Sequence, residues 1–312
     1  MQLIVILLVT VSILTFLSGL IVFFGSKKGN KAQSAWFLLA AIFATVWMAS
    51  ISVFLTANEG WVKNIDWHVK WTFVSALIID VAFLGYTSWK TNYGKTLTTL
   101  FLLFGVIIGG LIFTQPHLLY KDVVLSPAGN TVEMNIGPLY FAYNGFFALI
   151  VPAVVIALIQ QYLKTKSERK KGGDLIIMGS FGVSSGLTLI FNLILPLFGN
   201  WNLIWIGPLA LAITIIGFYY TILRYKSLNL SSIWLKIFSN IVIIASIAIV
   251  YMVIFSIIFA ALFRGSTPSA EVIILNFIMI SVFLLLMPAI NELINHVKSI
   301  IAKQSVKPKE NE

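Results

Sequence analysis

The sequence predicts an all-α protein: a polytopic bundle of transmembrane helices with about nine spans, seven followed by two, its N-terminus outside and its C-terminus cytoplasmic. Three observations lead there. Apolar residues make up 59% of the chain and charged residues only 10%, too few to coat a soluble globule of 312 residues. Stretches of about 20 apolar residues, nearly free of charge, recur along the whole length. These stretches are continuous rather than alternating, so they satisfy their backbone hydrogen bonds as helices and not as strands of an outer-membrane barrel.

Span 1 covers roughly Leu3 to Phe24. No cation precedes it, whereas Lys27, Lys28 and Lys31 follow, the reverse of a cleaved signal peptide's flanks, so it reads as an uncleaved anchor. Span 2 is about Ala35 to Leu55, and the aromatic, mixed-charge loop Thr56 to Lys70 is outside. Span 3 runs from about Trp71 to Trp89, to a cytoplasmic turn with Lys90, Asn92, Gly94 and Lys95; span 4 is about Leu97 to Phe113. In the outer loop Gln115 to Ile136, Val123-Val124-Leu125 and Thr131-Val132-Glu133 flank a Pro/Gly/Asn turn, which predicts a small hairpin. Span 5 begins at Gly137-Pro138 and reaches Leu163, with Pro152 inside it as a kink. Lys164 to Lys171 reads as the most basic loop, and span 6 follows at about Leu175 to Leu197. A short loop past Trp201 and Trp205 leads to span 7, about Ile206 to Leu223, which closes at the basic cluster Arg224-Tyr225-Lys226. Spans 8 and 9 are roughly Ile237 to Phe263 and Ile273 to Met287.

After Pro288 the pattern changes. Ile290, Leu293, Ile294, Val297, Ile300 and Ile301 recur at helical spacing, an amphipathic helix of about two heptads that either lies on anionic lipid or self-associates. The polar tail Ser305 to Glu312 is expected to be disordered. The chain thus divides into a seven-span region 1–232, two further spans over 233–289, and a cytoplasmic helix and tail over 290–312.

On this topology 17 of the 21 Lys and Arg residues fall on one side, and Lys63, Lys70, Lys121 and Arg264 on the other. That split marks the cytoplasmic face, and the net charge of +10 is a topology signal rather than a nucleic-acid footprint. The absence of cysteine removes disulfides, thiolate nucleophiles and Cys-ligated metals. No His-Glu-x-x-His, Walker loop or Gly-framed nucleophilic serine is present, and the three histidines have no metal-ligand spacing. The expectation is a protein with no cofactor, no metal and no enzymatic activity.

The candidate functional residues are polar groups placed within spans. Asp80 is roughly ten residues from either end of span 3, about 15 Å deep. An intramembrane carboxyl is costly and marks a functional site by default. With no Lys, Arg or His inside another span, it either carries its proton or bonds to amides and hydroxyls, as a structural group, a ligand or proton sensor, or an ion-pathway residue. Asn144 and Asn192 lie in the outer thirds of spans 5 and 6, near Tyr140, Tyr143, Trp201 and Trp205. They serve either as bridges between helices or, with Asp80, Tyr140 and Trp205, as the polar fixtures of an apolar pocket opening outward or to lipid. Trp61, Trp67, Trp71, Trp89 and Trp234 sit at span ends as interfacial anchors.

Several features in fixed order resemble the seven-span N-terminal sensor region of bacterial histidine kinases. They are Gly137-Pro138-Leu139-Tyr140, Asn192 four residues before Pro196, Gly207-Pro208, and Tyr220-Thr221-Ile222-Leu223-Arg224-Tyr225 with Leu228-Asn229. The resemblance covers about residues 1 to 232, departing at Asn229 where an aspartate is usual. Residues 233 to 304 are similar to a two-span extension that ends in a proline and a helix leading toward a kinase; no kinase module follows here. His296, on that helix, reads as a surface histidine rather than a phospho-acceptor.

The resemblance implies a sensor in the bacterial cytoplasmic membrane that detects a small or amphiphilic ligand. Relay would pass through Pro196, Gly207, Pro208, Arg224, Tyr225 and Pro288 to a cytoplasmic histidine kinase or to a second copy of the chain. The alternative is a small-molecule or ion transporter using Asp80 and Pro152, although no inverted repeat is visible. A membrane enzyme acting on lipid would need a His/Asp/Glu cluster at one membrane face, which the sequence lacks.

Overall fold

The computed structural model describes residues 2–26, 30–56, 65–89, 92–125 and 132–225. Spans 8 and 9, Pro288, the amphipathic helix and the tail lie outside the described residues, as do parts of four connections. Among the described residues, seven helices are long and apolar enough to cross a membrane, in agreement with the seven spans expected over this region.

The helices are α1 (Gln2–Gly25), α2 (Lys31–Thr56), α3 (Ile65–Ser88), α4 (Asn92–Thr114), α5 (Leu139–Lys164), α6 (Glu168–Thr188), a single turn α7 (Leu195–Leu197) and α8 (Ile206–Tyr225). A π-helical turn, Leu189–Ile194, joins α6 to α7, so the two run as one crossing, Lys170–Leu197. Neighbours in sequence pack side by side, and α8 closes the ring by returning to α1 and α2. The most enclosed staves are α3 and α8, where 78% of the residues of the apolar stretch are buried, whereas α4, at 22%, lies on the periphery between α3 and α5.

Four helices, α2, α3, α4 and α6, begin earlier than hydropathy alone indicates, because polar first turns extend each apolar run. The basic stretch Lys164 to Lys171 is not all loop: only Thr165–Ser167 breaks the chain, and α6 starts at Glu168. A glutamate in the first turn suits the positive end of the helix dipole, and it pairs with Lys171 at 2.8 Å. In α3, Asp66 has the same place and pairs with Lys70 at 2.6 Å, so much of the outer loop expected through Lys70 is helix. Likewise α4 opens at Asn92, inside the turn expected to hold Gly94 and Lys95.

Close packing follows small residues and hydroxyls. A Cβ on Gly19 would lie 2.6 Å from Ala41 Cβ, and Thr45 Oγ1 donates to the Ser12 carbonyl at 3.1 Å, so α1 and α2 approach closely. Between α2 and α3, Gln33 donates to the Tyr86 carbonyl at 3.0 Å, and the Trp36 ring fills the space above Gly85. Three threonine hydroxyls tie α6 and its π turn to α8: Thr188 to the Gly207 carbonyl at 3.4 Å, Thr214 to Ser180 at 3.3 Å and Thr221 to Gly173 at 3.2 Å.

The expected hairpin is present: β1 (Tyr120–Leu125) pairs antiparallel with β2 (Val132–Ile136), with Val123 opposite Met134 and an irregularity between Tyr120 and Val123. Gly137 ends it where a Cβ would collide with the Leu118 carbonyl, so only glycine fits. The Tyr120 hydroxyl donates to the Asp66 carboxylate and fastens the hairpin to the first turn of α3. Burial first, and then Asp66, push the Tyr120 pKa up, so folding favours the neutral phenol. The clasp therefore keeps its full contribution below about pH 10, the unfolded value, and loses it as pH rises further. Tyr120→Phe is expected to cost about 1 kcal/mol, the value of a hydrogen bond to a charged group discounted for partial exposure. Hydrogen exchange of the β2 amides should speed up about fivefold at neutral pH; unchanged exchange would mean that the bond carries nothing.

Candidate functional site

The site grows from one proline. Pro196 has no N–H to offer the carbonyl four residues earlier, which belongs to Asn192, and its ring crowds that oxygen. The helix widens there into the π turn Leu189–Ile194. The carbonyl left over is recovered from another helix: the Tyr140 hydroxyl on α5 lies 3.3 Å from the Asn192 oxygen and 3.3 Å from that of Leu193. The Asn192 side chain in turn donates through Nδ2 to the Ile204 carbonyl at 2.8 Å, just before α8 begins. A Cβ on Gly207 would fall on the Asn192 amide, so the glycine lets α8 slide beneath it. Pro208 follows in the first turn of α8, where a missing N–H costs no intrahelical bond. Asn192, Pro196, Gly207, Pro208 and Tyr140 thus form one clasp that joins α5, the π turn and α8 at the hairpin end.

Two small cavities sit along the bundle interior below this clasp. The first, about 40 Å³, is bordered by Trp47, Phe73, Tyr143, Asn192, Trp201 and, from the hairpin, Met134 among others. The second, about 30 Å³, is bordered by Asp80, Phe83, Ser184, Ser185 and Thr214 among others. Trp47, Ala76, Phe147 and Thr188 border both, so the two are separated only by shared side chains. Each has room for about one water-sized group.

Polar atoms along this interior are left unpaired. Trp47 Nε1 and Asn192 Oδ1 are sealed from solvent and have no hydrogen-bond partner among the described residues, a donor and an acceptor on the border of the same cavity. Asp80 has no ion pair and no hydrogen bond among the described residues; the hydroxyl-bearing Ser184, Ser185, Thr188 and Thr214 share its cavity. It stands 15 residues after Ile65 and eight before Ser88, further from the hairpin end than the mid-span place expected. Asn144 is an electrostatic neighbour of the Tyr140 hydroxyl, but neither amide atom makes a hydrogen bond of good geometry among the described residues.

The structure brings most of the expected residues together, though not as one outward-opening pocket. Asn192 borders the upper cavity and Asp80 the lower, while Tyr140 and Asn144 flank the clasp. Trp205 is half-buried and Trp201 takes the place at the cavity that was expected of it. Arg224 and Tyr225 end α8, 18 and 19 residues beyond Ile206. Trp47 was missed; its signal was a tryptophan near the middle of a span, where no interfacial anchor belongs. Among the described residues no three His, Cys, Asp or Glu side chains gather as a metal site requires.

A bundle of seven helices, each long and apolar enough to cross a bilayer, defines a multi-pass membrane protein. The chain belongs to a family described as the N-terminal 7TM region of histidine kinase, whose pattern matches residues 6–231. The match ends just past α8, so the seven described crossings are the family's region. No curated protein and no solved structure matches the chain.

Proposed function

We propose that the chain is a ligand-reading sensor of the bacterial cytoplasmic membrane that relays to a cytoplasmic partner and performs no chemistry itself. The observation that carries this reading is the Asn192 clasp, which links three helices directly above two cavities bordered by unpaired polar atoms. A single polar group, such as a hydroxyl, of a small or amphiphilic ligand that accepts from Trp47 Nε1 and donates to Asn192 Oδ1 would bind one arrangement of the clasp better than another, which is what a switch requires. The 20 residues of α8 then carry the displacement about 30 Å to Arg224 and Tyr225 on the cytoplasmic side. Continuation through two further spans and the helix after Pro288 to a histidine kinase or a second copy completes the relay. The lysine and arginine asymmetry supports the orientation, with the hairpin outside.

Because the chain has no cysteine, single cysteines report cleanly. A cysteine at Leu223 is expected to change its maleimide labelling rate when a panel of amphiphiles and short peptides is applied to membranes, with Asn192→Ala abolishing the change. A cysteine at Lys170 should label only from the cytoplasmic side. If Asn192→Ala and Asn144→Ala left every response intact at normal protein level, the sensor reading would fail. Asp80-dependent flux in proteoliposomes would replace it with a carrier.

A further inference from the structure

A much larger cavity, about 800 Å³, opens at the end of the bundle away from the hairpin, where α3 and α5 end and α4 and α6 begin. Its walls are of two kinds. One side is hydrocarbon: α4 meets α5 at Phe101 and Phe104 against Phe146, with centroids 5.7 and 6.0 Å apart. Beyond that contact the two helices line the cavity instead, with Leu97 from α4 and Leu149, Ala153 and Ile156 from α5. Leu149 is 62% exposed and Ile156 54%, so this wall faces outward from the bundle, where acyl chains lie. The other side is polar and cationic. Lys164 and Lys170 stand at it, both exposed and neither in an ion pair among the described residues, with Gln160 beside them. Among the described residues the one carboxylate there, Asp174, is buried and already engaged, accepting from Gln161 at 2.5 Å and Thr165 at 2.7 Å. Two cations against one carboxylate leave the cavity net positive.

We propose that this cavity is a lipid-binding site that takes an acidic phospholipid of the inner leaflet. The phosphodiester sits between Lys164 and Lys170 with Gln160, and one acyl chain leaves between α4 and α5 along Leu149 and Ile156. A free phosphate would use the same lysines but has no use for the hydrocarbon wall, whereas a phospholipid matches both halves. The volume lies within the range of pockets that enclose a small amphiphile. Assignment to the inner leaflet rests on the orientation proposed above; lipid binding itself does not. The site also lies apart from the clasp, so either reading can fail without the other.

The test is photolabelling of the full chain in nanodiscs with a photoactivatable phosphatidylglycerol, followed by peptide mapping. Adducts are expected within residues 149–164, with several-fold preference over a phosphatidylcholine probe. Neutralising each exposed lysine should lower labelling about fivefold, so Lys164→Gln with Lys170→Gln lowers it about 25-fold while the melting temperature holds. Ala157→Trp, which projects an indole into the cavity, should lower the adduct several-fold. Equal labelling by both probes, or labelling that both sets of variants leave unchanged, would overturn the proposal. So would loss of the adduct in excess inorganic phosphate, which would assign the lysines to a soluble anion, or linkage of residues 149–164 to residues 226–312, which would make the occupant this chain's own segment.

Discussion

Gly207→Ala is expected to destabilise the protein by about 3 kcal/mol, the upper end of what overpacking a filled interior costs. The added methyl would fall on the Asn192 amide, which cannot swing aside without giving up its 2.8 Å bond to Ile204. Displacing α8 instead would stretch the Thr188 bond to the Gly207 carbonyl, already 3.4 Å long. Thermal unfolding of the purified chain measures the loss. The double variant Asn192→Ala/Gly207→Ala removes the obstructing amide and should recover more than half of it, a coupling that independent sites would not produce. If the two losses simply added, the glycine would be needed for some reason other than Asn192.

Asp80→Leu is expected to do the opposite, raising stability by about 1 to 3 kcal/mol while abolishing any ligand response. A carboxyl inside the bundle with no ion pair or hydrogen bond among the described residues is a cost to folding, and a side chain of similar reach that is apolar removes it. The adjoining cavity of about 30 Å³ accommodates the branched methyls. Asp80→Asn should be close to neutral in stability. A protein that melts lower as Asp80→Leu would show that the carboxyl is a structural anchor, with a partner outside the described residues.

Much of this was legible in the sequence for reasons that can be named. Each of the seven crossings follows from an uninterrupted apolar run, and the hairpin from β-rich residues around a Pro/Gly/Asn turn. Asn192 four residues before Pro196, with Gly207-Pro208 after them, stood out in the sequence as features of the family resemblance, and the clasp forms there because a proline in an α-helix leaves the carbonyl four residues back without its donor. What stayed hidden depends on distance between elements. That Tyr140 rescues the stranded carbonyl, and that Trp47 borders both interior cavities, require knowing which face of α5 and α2 meets α6. The large cavity arises from the way α4 and α5 part after Phe146, which no local pattern encodes. Helix starts at Ile65, Asn92 and Glu168 were shifted because hydropathy does not register a polar first turn that is nonetheless helical.

The three threonine links between α6 and α8 bear on how any message can travel. Their acceptors and donors step along α8 at residues 207, 214 and 221, two helical turns apart, so all three face one seam. Rotating α8 alone would break every link in that row together, whereas tilting both helices as a single plank breaks none. If the proposed sensor relays through these helices, its moving part is a two-helix unit, and inserting one residue in α8 between Thr214 and Thr221 should abolish the Leu223 labelling response without unfolding the chain.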